Sequence, residues 1–141
     1  MEFVNVPKNV VQFIDIKHPD FVLISITETP YETPVKVPTS CKDVLYVYFY
    51  DIDKPLTGLN AFSRKEAKEI LDFFHKYKNN TASMIIHCTA GISRSAGVAA
   101  ALYRIYHGEN DTTYWKLFMP NMLVYTTILR EFYGVPDDQP F

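Results

Sequence analysis

Between Ser83 and Gly97 the chain has to pass from strand to helix in a few residues, and this constrains the fold more than any other stretch. Ser83-Met84-Ile85-Ile86-His87 reads as a short apolar strand. From Ser95 to His107 an alanine-rich run reads as a helix stopped by Gly108. A buried strand feeding directly into a helix belongs to an α/β layout. The connection holds Cys88 and, after five intervening residues, Arg94. That spacing suits a site for an oxyanion built around a thiolate.

A free thiol has a pKa near ~8.5, and only the thiolate is a strong nucleophile. Cys88 is expected at the end of the strand, just before a helix N-terminus, where unpaired N–H groups and the helix dipole favour negative charge. Successive N–H groups from Thr89 through Ala90, Gly91, Ile92 and Ser93 to Arg94 can curl into a nest around a phosphate. Gly91 lets the loop take backbone angles that a Cβ resists. The planar fork of Arg94 can grip two phosphate oxygens. Ser95 offers a hydroxyl to the sulfur, which helps the thiolate leave. His87 is expected directly behind the sulfur, lowering its pKa further.

The remaining sequence supplies the frame. Phe3 to Val6, Val10 to Ile14 and Phe21 to Thr27 read as β-type runs, the last buried on both faces. Residues 28–43 carry Pro30, Pro34 and Pro38 and read as a long loop, either part of the pocket rim with Tyr31 a contact or a plain surface connection. Val44 to Tyr50 is strongly β-prone. Ser63 with Glu66 forms a capping box that opens a helix with Ala67, Ile70, Leu71, Phe74 and Tyr77 at helical spacing. Asp111 can cap a helix running to Phe118, and Pro120-Asn121 opens a last one ending at Gly134. The expectation is a single α/β domain over residues 1–141, with a central mixed, twisted sheet flanked by helices.

The run His87-Cys88-Thr89-Ala90-Gly91-Ile92-Ser93-Arg94-Ser95 resembles the H-C-x-A-G-x-x-R-S signature of the cysteine-dependent protein tyrosine phosphatases. Its A-G-I-S-R-S form is most similar to the small dual-specificity branch, of phage and bacterial type. The resemblance implies a dual-specificity-phosphatase-like fold with a phosphate-binding loop at residues 87–95. It also implies hydrolysis of phosphotyrosine, and of phosphoserine or phosphothreonine, through a cysteinyl-phosphate. Cys88 would be the nucleophile, and Arg94 with the loop amides would bind phosphate. An aspartate some thirty-odd residues earlier would protonate the leaving oxygen. Asp51 and Asp53 lie 37 and 35 residues before Cys88. Asp51 is preferred, because the family's acid directly follows the strand equivalent to Tyr46–Tyr50. The family's supporting asparagine maps to Asn121. A second cysteine in some relatives forms a protective disulfide with the nucleophile; Cys41 reads instead as an ordinary loop thiol. A water-positioning glutamine is not expected, since Gln12 and Gln139 lie near the termini.

The resemblance calls for no metal and no cofactor. With a net charge of −2, the chain gives no electrostatic case for nucleic acid or anionic membranes. It holds no apolar run of membrane-spanning length and no secretory leader pattern at Met1-Glu2-Phe3. Two cysteines make no disulfide framework. Together these predict a monomer in the cytoplasm, a reducing compartment, acting on a phosphorylated protein. Rival readings are a phosphatase for a non-protein substrate, such as an RNA 5′-triphosphate or an inositol phosphate, and a weakly catalytic phosphoprotein-binding module. Neutral Thr89, Ile92 and Ser93 argue against inositol phosphates. The presence of both Cys88 and Arg94 argues against a dead module.

Overall fold

Alternation along the strands decides which side of the sheet each residue faces. Four strands form the sheet: β1 (Glu2–Pro7), β2 (Phe21–Thr27), β3 (Val44–Tyr48) and β4 (Ser83–Cys88), in the order β1-β4-β2-β3. The computed structural model describes residues 1–139; residues 140–141, the end of the expected 1–141 domain, lie outside the described residues. β2 and β4 are buried along their whole length, as their near-continuous apolar runs require.

The helices α1 (Arg64–Tyr77), α2 (Arg94–His107), the short α3 (Thr113–Leu117) and α4 (Met122–Tyr133) follow the strand–helix order expected. Val22, Ile24, Ile26, Met84 and Ile86 pack with α1, α2 and α4 in the larger core. The alternate residues Phe21, Leu23 and Ile85 face a smaller core closed by Val11, Ile14 and Val35. One face of the sheet therefore carries the α-helices. The other is covered by a 3-10 helix (Lys8–Ile16) and part of the loop before β3.

Three helix boundaries follow their sequence signals. The Glu66 carboxylate accepts from the Ser63 N–H at 3.2 Å and from its hydroxyl at 3.0 Å. Gly108 closes α2 with a left-handed φ of 80°. The Asn121 side chain accepts from the Val124 N–H and caps α4. Small residues on α2 permit close packing: a Cβ on Gly97 would stand 2.8 Å from the Asn121 carbonyl oxygen.

Two expectations need correction. All three strand pairings are parallel among the described residues, so the sheet is not mixed. The reason lies in the connections. Each joins successive strands through a 3-10 helix, a long loop or α1, and none is a tight hairpin. Secondly, Val10 to Ile14 is no strand but part of the 3-10 helix. Its buried residues, Val11 and Ile14, are three apart, which suits a helix with three residues per turn.

Candidate active site

β4 delivers Cys88 to the C-terminal edge of a parallel sheet, where α/β folds place their ligand sites. Residues 89–93 then turn over the strand end, and Arg94 begins α2. Period-two alternation sends Cys88 to the face of the α-helices and His87 to the opposite face. Cys88 is buried, with its Sγ 3.1 Å from Ser95 Oγ and 3.5 Å from the Ser95 N–H.

The peptide units of the loop are turned by their outside neighbours. Thr89 carbonyl accepts from the Lys8 N–H at 3.3 Å, and Gly91 carbonyl from Asn5 Nδ2 at 3.0 Å. Ile92 carbonyl accepts from the Met119 N–H at 3.0 Å. Ser93 carbonyl accepts from the Asn121 and Gly97 N–H groups, each at 2.9 Å. In a trans peptide the next N–H points opposite to the carbonyl. The N–H groups of Ala90, Ile92, Ser93 and Arg94 therefore face away from these braces.

Arg94 is buried. Its Nη1 donates to the Phe49 carbonyl at 3.1 Å and its Nη2 to Thr89 Oγ1 at 3.4 Å. Both acceptors are neutral, and among the described residues no carboxylate forms an ion pair with it. A desolvated guanidinium without an anion is costly. Arg94 thus stands as a buried cation at the end of the loop, bonded to neutral oxygens.

Gly91 is required here twice over. Its φ is +71°, and a Cβ on it would come within 2.4 Å of Pro7 N. Pro7 is the register partner of Cys88, so the end of β1 presses directly on the loop.

Asp51 reaches the loop; Asp53 does not bond to it. Asp51 Oδ1 accepts from Ser93 Oγ at 2.9 Å and from Asn121 Nδ2 at 2.8 Å. Asn121 Nδ2 also donates to the Ile52 carbonyl at 3.1 Å, so one buried side chain fastens the segment after β3 to the loop and caps α4. Asp53 lines a cavity of about 490 Å³ beside Asp51, Leu56 and Ser93.

His87 departs from expectation. It is buried, with Nε2 2.6 Å from Ser25 Oγ and Nδ1 3.4 Å from the Cys88 carbonyl. Desolvation is the main cause that pulls its pKa down to about 4. It is neutral near pH 7 and brings no positive charge to the sulfur. Its place is to fix the backbone at Cys88 from the far face of the sheet.

Cys41 lies at the other end of the sheet. The Lys42 N–H bonds the Phe21 carbonyl at 3.0 Å, and Phe21 is in register with Ser83. Five strand residues separate that level from Cys88, about 16 Å at the rise of a parallel strand. A disulfide needs Cα atoms within ~7 Å, so this pair cannot form one as the fold stands. Burial raises the Cys41 pKa, keeping it a thiol. In the 28–43 loop, Thr33 to Lys36 line a cavity beside Thr89, as the rim expectation requires, whereas Tyr31 stands 93% exposed to solvent. Sequence reasoning missed Asn5, Pro7 and Lys8, whose only local signal was a short β-type run.

No group of three or more His, Cys, Asp or Glu side chains among the described residues is placed to hold a metal ion. No helix among them is long and apolar enough to cross a membrane.

No family model matches the chain. The chain is 31% identical over 96 residues, 63% of its own length, to dual specificity protein phosphatase 15 of Mus musculus. It spans only 36% of that relative. Among solved structures, the human tyrosine phosphatase-like serine/threonine/tyrosine-interacting protein superposes with a TM-score of 0.66 at 14% identity, covering 94% of this chain and 91% of that one. PTPMT1, solved in complex with PI(5)P, superposes with a TM-score of 0.63 at 15% identity, covering 95% and 92%.

Proposed function

Starting from a chain that is dual-specificity-phosphatase-like in both sequence and fold, we propose that it hydrolyses phosphate monoesters on proteins through a cysteinyl-phosphate. One observation carries this reading: a buried Arg94 held only by neutral oxygens, beside a loop whose peptide N–H groups turn away from their braces. That combination asks for a tetrahedral dianion next to Cys88.

In the first step Cys88 thiolate attacks phosphorus, the S–P bond forms and the ester P–O bond breaks. The loop amides and Arg94 hold the equatorial oxygens, where charge develops. Asp51 gives its proton to the leaving tyrosine, serine or threonine oxygen. Both of its bonds to Ser93 and Asn121 fall on Oδ1, so Oδ2 would carry that proton. In the second step Asp51 takes a proton from water, the water oxygen bonds phosphorus, and the S–P bond breaks. The Ser95 hydroxyl, 3.1 Å from Sγ, stabilises the departing thiolate. Thr89, Ala90, Gly91, Ile92 and Ser93 supply the cradle, and no metal or cofactor takes part. We place this activity in the cytoplasm, on a monomeric enzyme whose partner is the phosphorylated substrate.

A non-protein substrate is the second reading, favoured by the fold shared with PTPMT1 in its PI(5)P complex. The neutral side chains of Thr89, Ile92 and Ser93 favour the protein reading. The test is turnover of para-nitrophenyl phosphate without added metal, with Cys88→Ser inactive and a phosphorylated enzyme trapped on rapid quench. Asp51→Asn should lower turnover of poor leaving groups by about 10²–10⁴-fold. Asp53→Asn should leave it near wild type; the reverse result moves the acid to Asp53.

A further inference from the structure

The phosphate loop lies between two grooves that are both largely apolar but differ in the charge that lines them. On the Thr89 side a cavity of about 650 Å³ is lined by Lys8, Gln12, Pro34 and Lys36, and no carboxylate lines it. Lys8 Nζ donates to the Thr33 carbonyl, which uses one of its three N–H bonds and aims the ammonium across this cavity. Neither Lys8 nor Lys36 takes part in an ion pair among the described residues.

On the Ser93 side a cavity of about 530 Å³ is lined by Ile92, Trp115, Phe118, Met119 and Met122, with Asp51 at its edge and no cation. Met119 is 76% exposed, Ile92 46%, Met122 45% and Trp115 39%. Contiguous exposed apolar surface of this kind marks a contact site. Methionines suit a pocket that adapts to several side chains. The groove is continuous with the loop, since Ile92 is a loop residue and Met119 bonds its carbonyl.

We propose that the substrate is a phosphoprotein segment lying across the loop, with an acidic side chain on the Lys8–Lys36 side and a large apolar side chain on the Trp115–Met119–Met122 side. This deepens the phosphatase reading above and rests on it for the phosphoryl group at Cys88. Charge sign and apolarity act together. An acidic residue is attracted by the two lysines on one side and finds apolar surface with no cation on the other. A polyanion such as an inositol polyphosphate or an RNA 5′-triphosphate would gain from one side only.

The experiment is a phosphopeptide panel of fixed length. Asp or Leu is placed on either side of the phosphoresidue, in both chain directions. Two readouts are taken: kcat/KM for the wild type, and the Kd of Cys88→Ser by fluorescence anisotropy. Peptides with Asp and Leu on opposite sides, in one direction only, should exceed the all-neutral peptide. About three- to five-fold is expected from Asp and about ten-fold from Leu over Ser. The Asp preference should fade from 50 to 500 mM salt, as the screening length shortens. Lys36→Glu should reverse the Asp preference within the panel, and Met119→Asp should erase the Leu preference. Equal values for all flanks in both readouts, with para-nitrophenyl phosphate still hydrolysed, would overturn this inference alone. Faster turnover of a phosphoinositide or a 5′-triphosphorylated RNA than of every peptide would also overturn it. Absent hydrolysis of para-nitrophenyl phosphate, with the same Kd ranking, would sink the enzyme reading and leave the binding preference standing.

Discussion

The loop of residues 89–93 is held from two sides, and the two holds differ in kind. On the β1 side the contact is mainly backbone: Pro7 leaves no room for a Cβ on Gly91 and the Lys8 N–H bonds the Thr89 carbonyl, with one side-chain bond added, Asn5 Nδ2 to the Gly91 carbonyl. On the α4 side, backbone bonds from Met119 and Asn121 to the Ile92 and Ser93 carbonyls are joined by a side-chain network in which Asn121 and Ser93 both donate to Asp51. A steric hold is all or nothing, because packed backbone has nowhere to yield. A polar network is graded, since each bond adds about 1 kcal/mol and water can replace it at an exposed end. In the proposed mechanism, the first hold suits a feature that must keep one shape, the anion nest, and the second suits one that must give and take a proton, the carboxylate of Asp51.

Breaking the steric hold should have the largest effect. Gly91→Ala adds a Cβ 2.4 Å from Pro7 N and strains a backbone already at φ +71°. Displacing the loop by about an ångström should cut kcat/KM at least ~100-fold. Gly108→Ala is the control, with φ +80° but nothing within 4 Å of the added Cβ. It should cost about 1–2 kcal/mol of stability through strain alone and leave kcat/KM within two-fold. Equal activity losses in the two variants would show that strain, not the press of Pro7, shapes the loop.

His87 supports the same backbone from beneath, and its effect depends on pH. Above 6.5 the imidazole is neutral in folded and unfolded chains alike. Between 6.5 and about 4 only the unfolded chain takes up the proton, so stability falls as the solution is acidified. A separation of that size corresponds to about 3 kcal/mol lost by pH 4. Urea unfolding at pH 7.0, 5.5 and 4.5 should show this fall, and His87→Asn should flatten it while lowering stability at pH 7. An equally steep fall in the variant would assign the acid sensitivity elsewhere.

How far the sequence foretold this division follows from chain distance. The strand, loop and helix around Cys88 are local, and so are the Ser63–Glu66 box and the Asn121 cap; residues three or seven apart specify them. The β1 brace is not local. Asn5 and Gly91 are 86 residues apart and meet only through the parallel register of β1 with β4. Nothing in the composition of residues 2–7 announces that register. Val10 to Ile14 misled because β-branched residues favour strands, whereas the buried pair Val11 and Ile14 suits a 3-10 turn. His87 misled because sequence adjacency to Cys88 means opposite faces in a strand, not proximity to the sulfur.

The polar hold can be taken apart bond by bond. Asn121→Ala removes the α4 cap and both bonds to the Asp51–Ile52 segment, so about 1–2 kcal/mol of stability should go together with turnover. Asn121→Asp keeps an oxygen for the Val124 N–H but cannot donate to Asp51. Its thermal midpoint should therefore stay above that of the alanine variant while kcat still falls about five- to ten-fold. If both variants lose activity only in proportion to stability, the bond to Asp51 does not position the carboxylate.

The smallest effect separates the two holds most cleanly. Asn5→Ala deletes one half-buried bond, Nδ2 to the Gly91 carbonyl, worth about 0.5–1.5 kcal/mol. The thermal midpoint should hardly move, because Pro7 still presses on the loop. The freed carbonyl can now swing, and when it turns inward the Ile92 N–H turns outward with it. An inward carbonyl repels phosphate where the amide had bound it. Affinity for vanadate should therefore fall a few-fold, in contrast to Asp51→Asn, which should lose turnover and keep its oxyanion affinity. Unchanged vanadate affinity in Asn5→Ala would mean that packing alone orients the peptide units, and that the Asn5 bond only accompanies it.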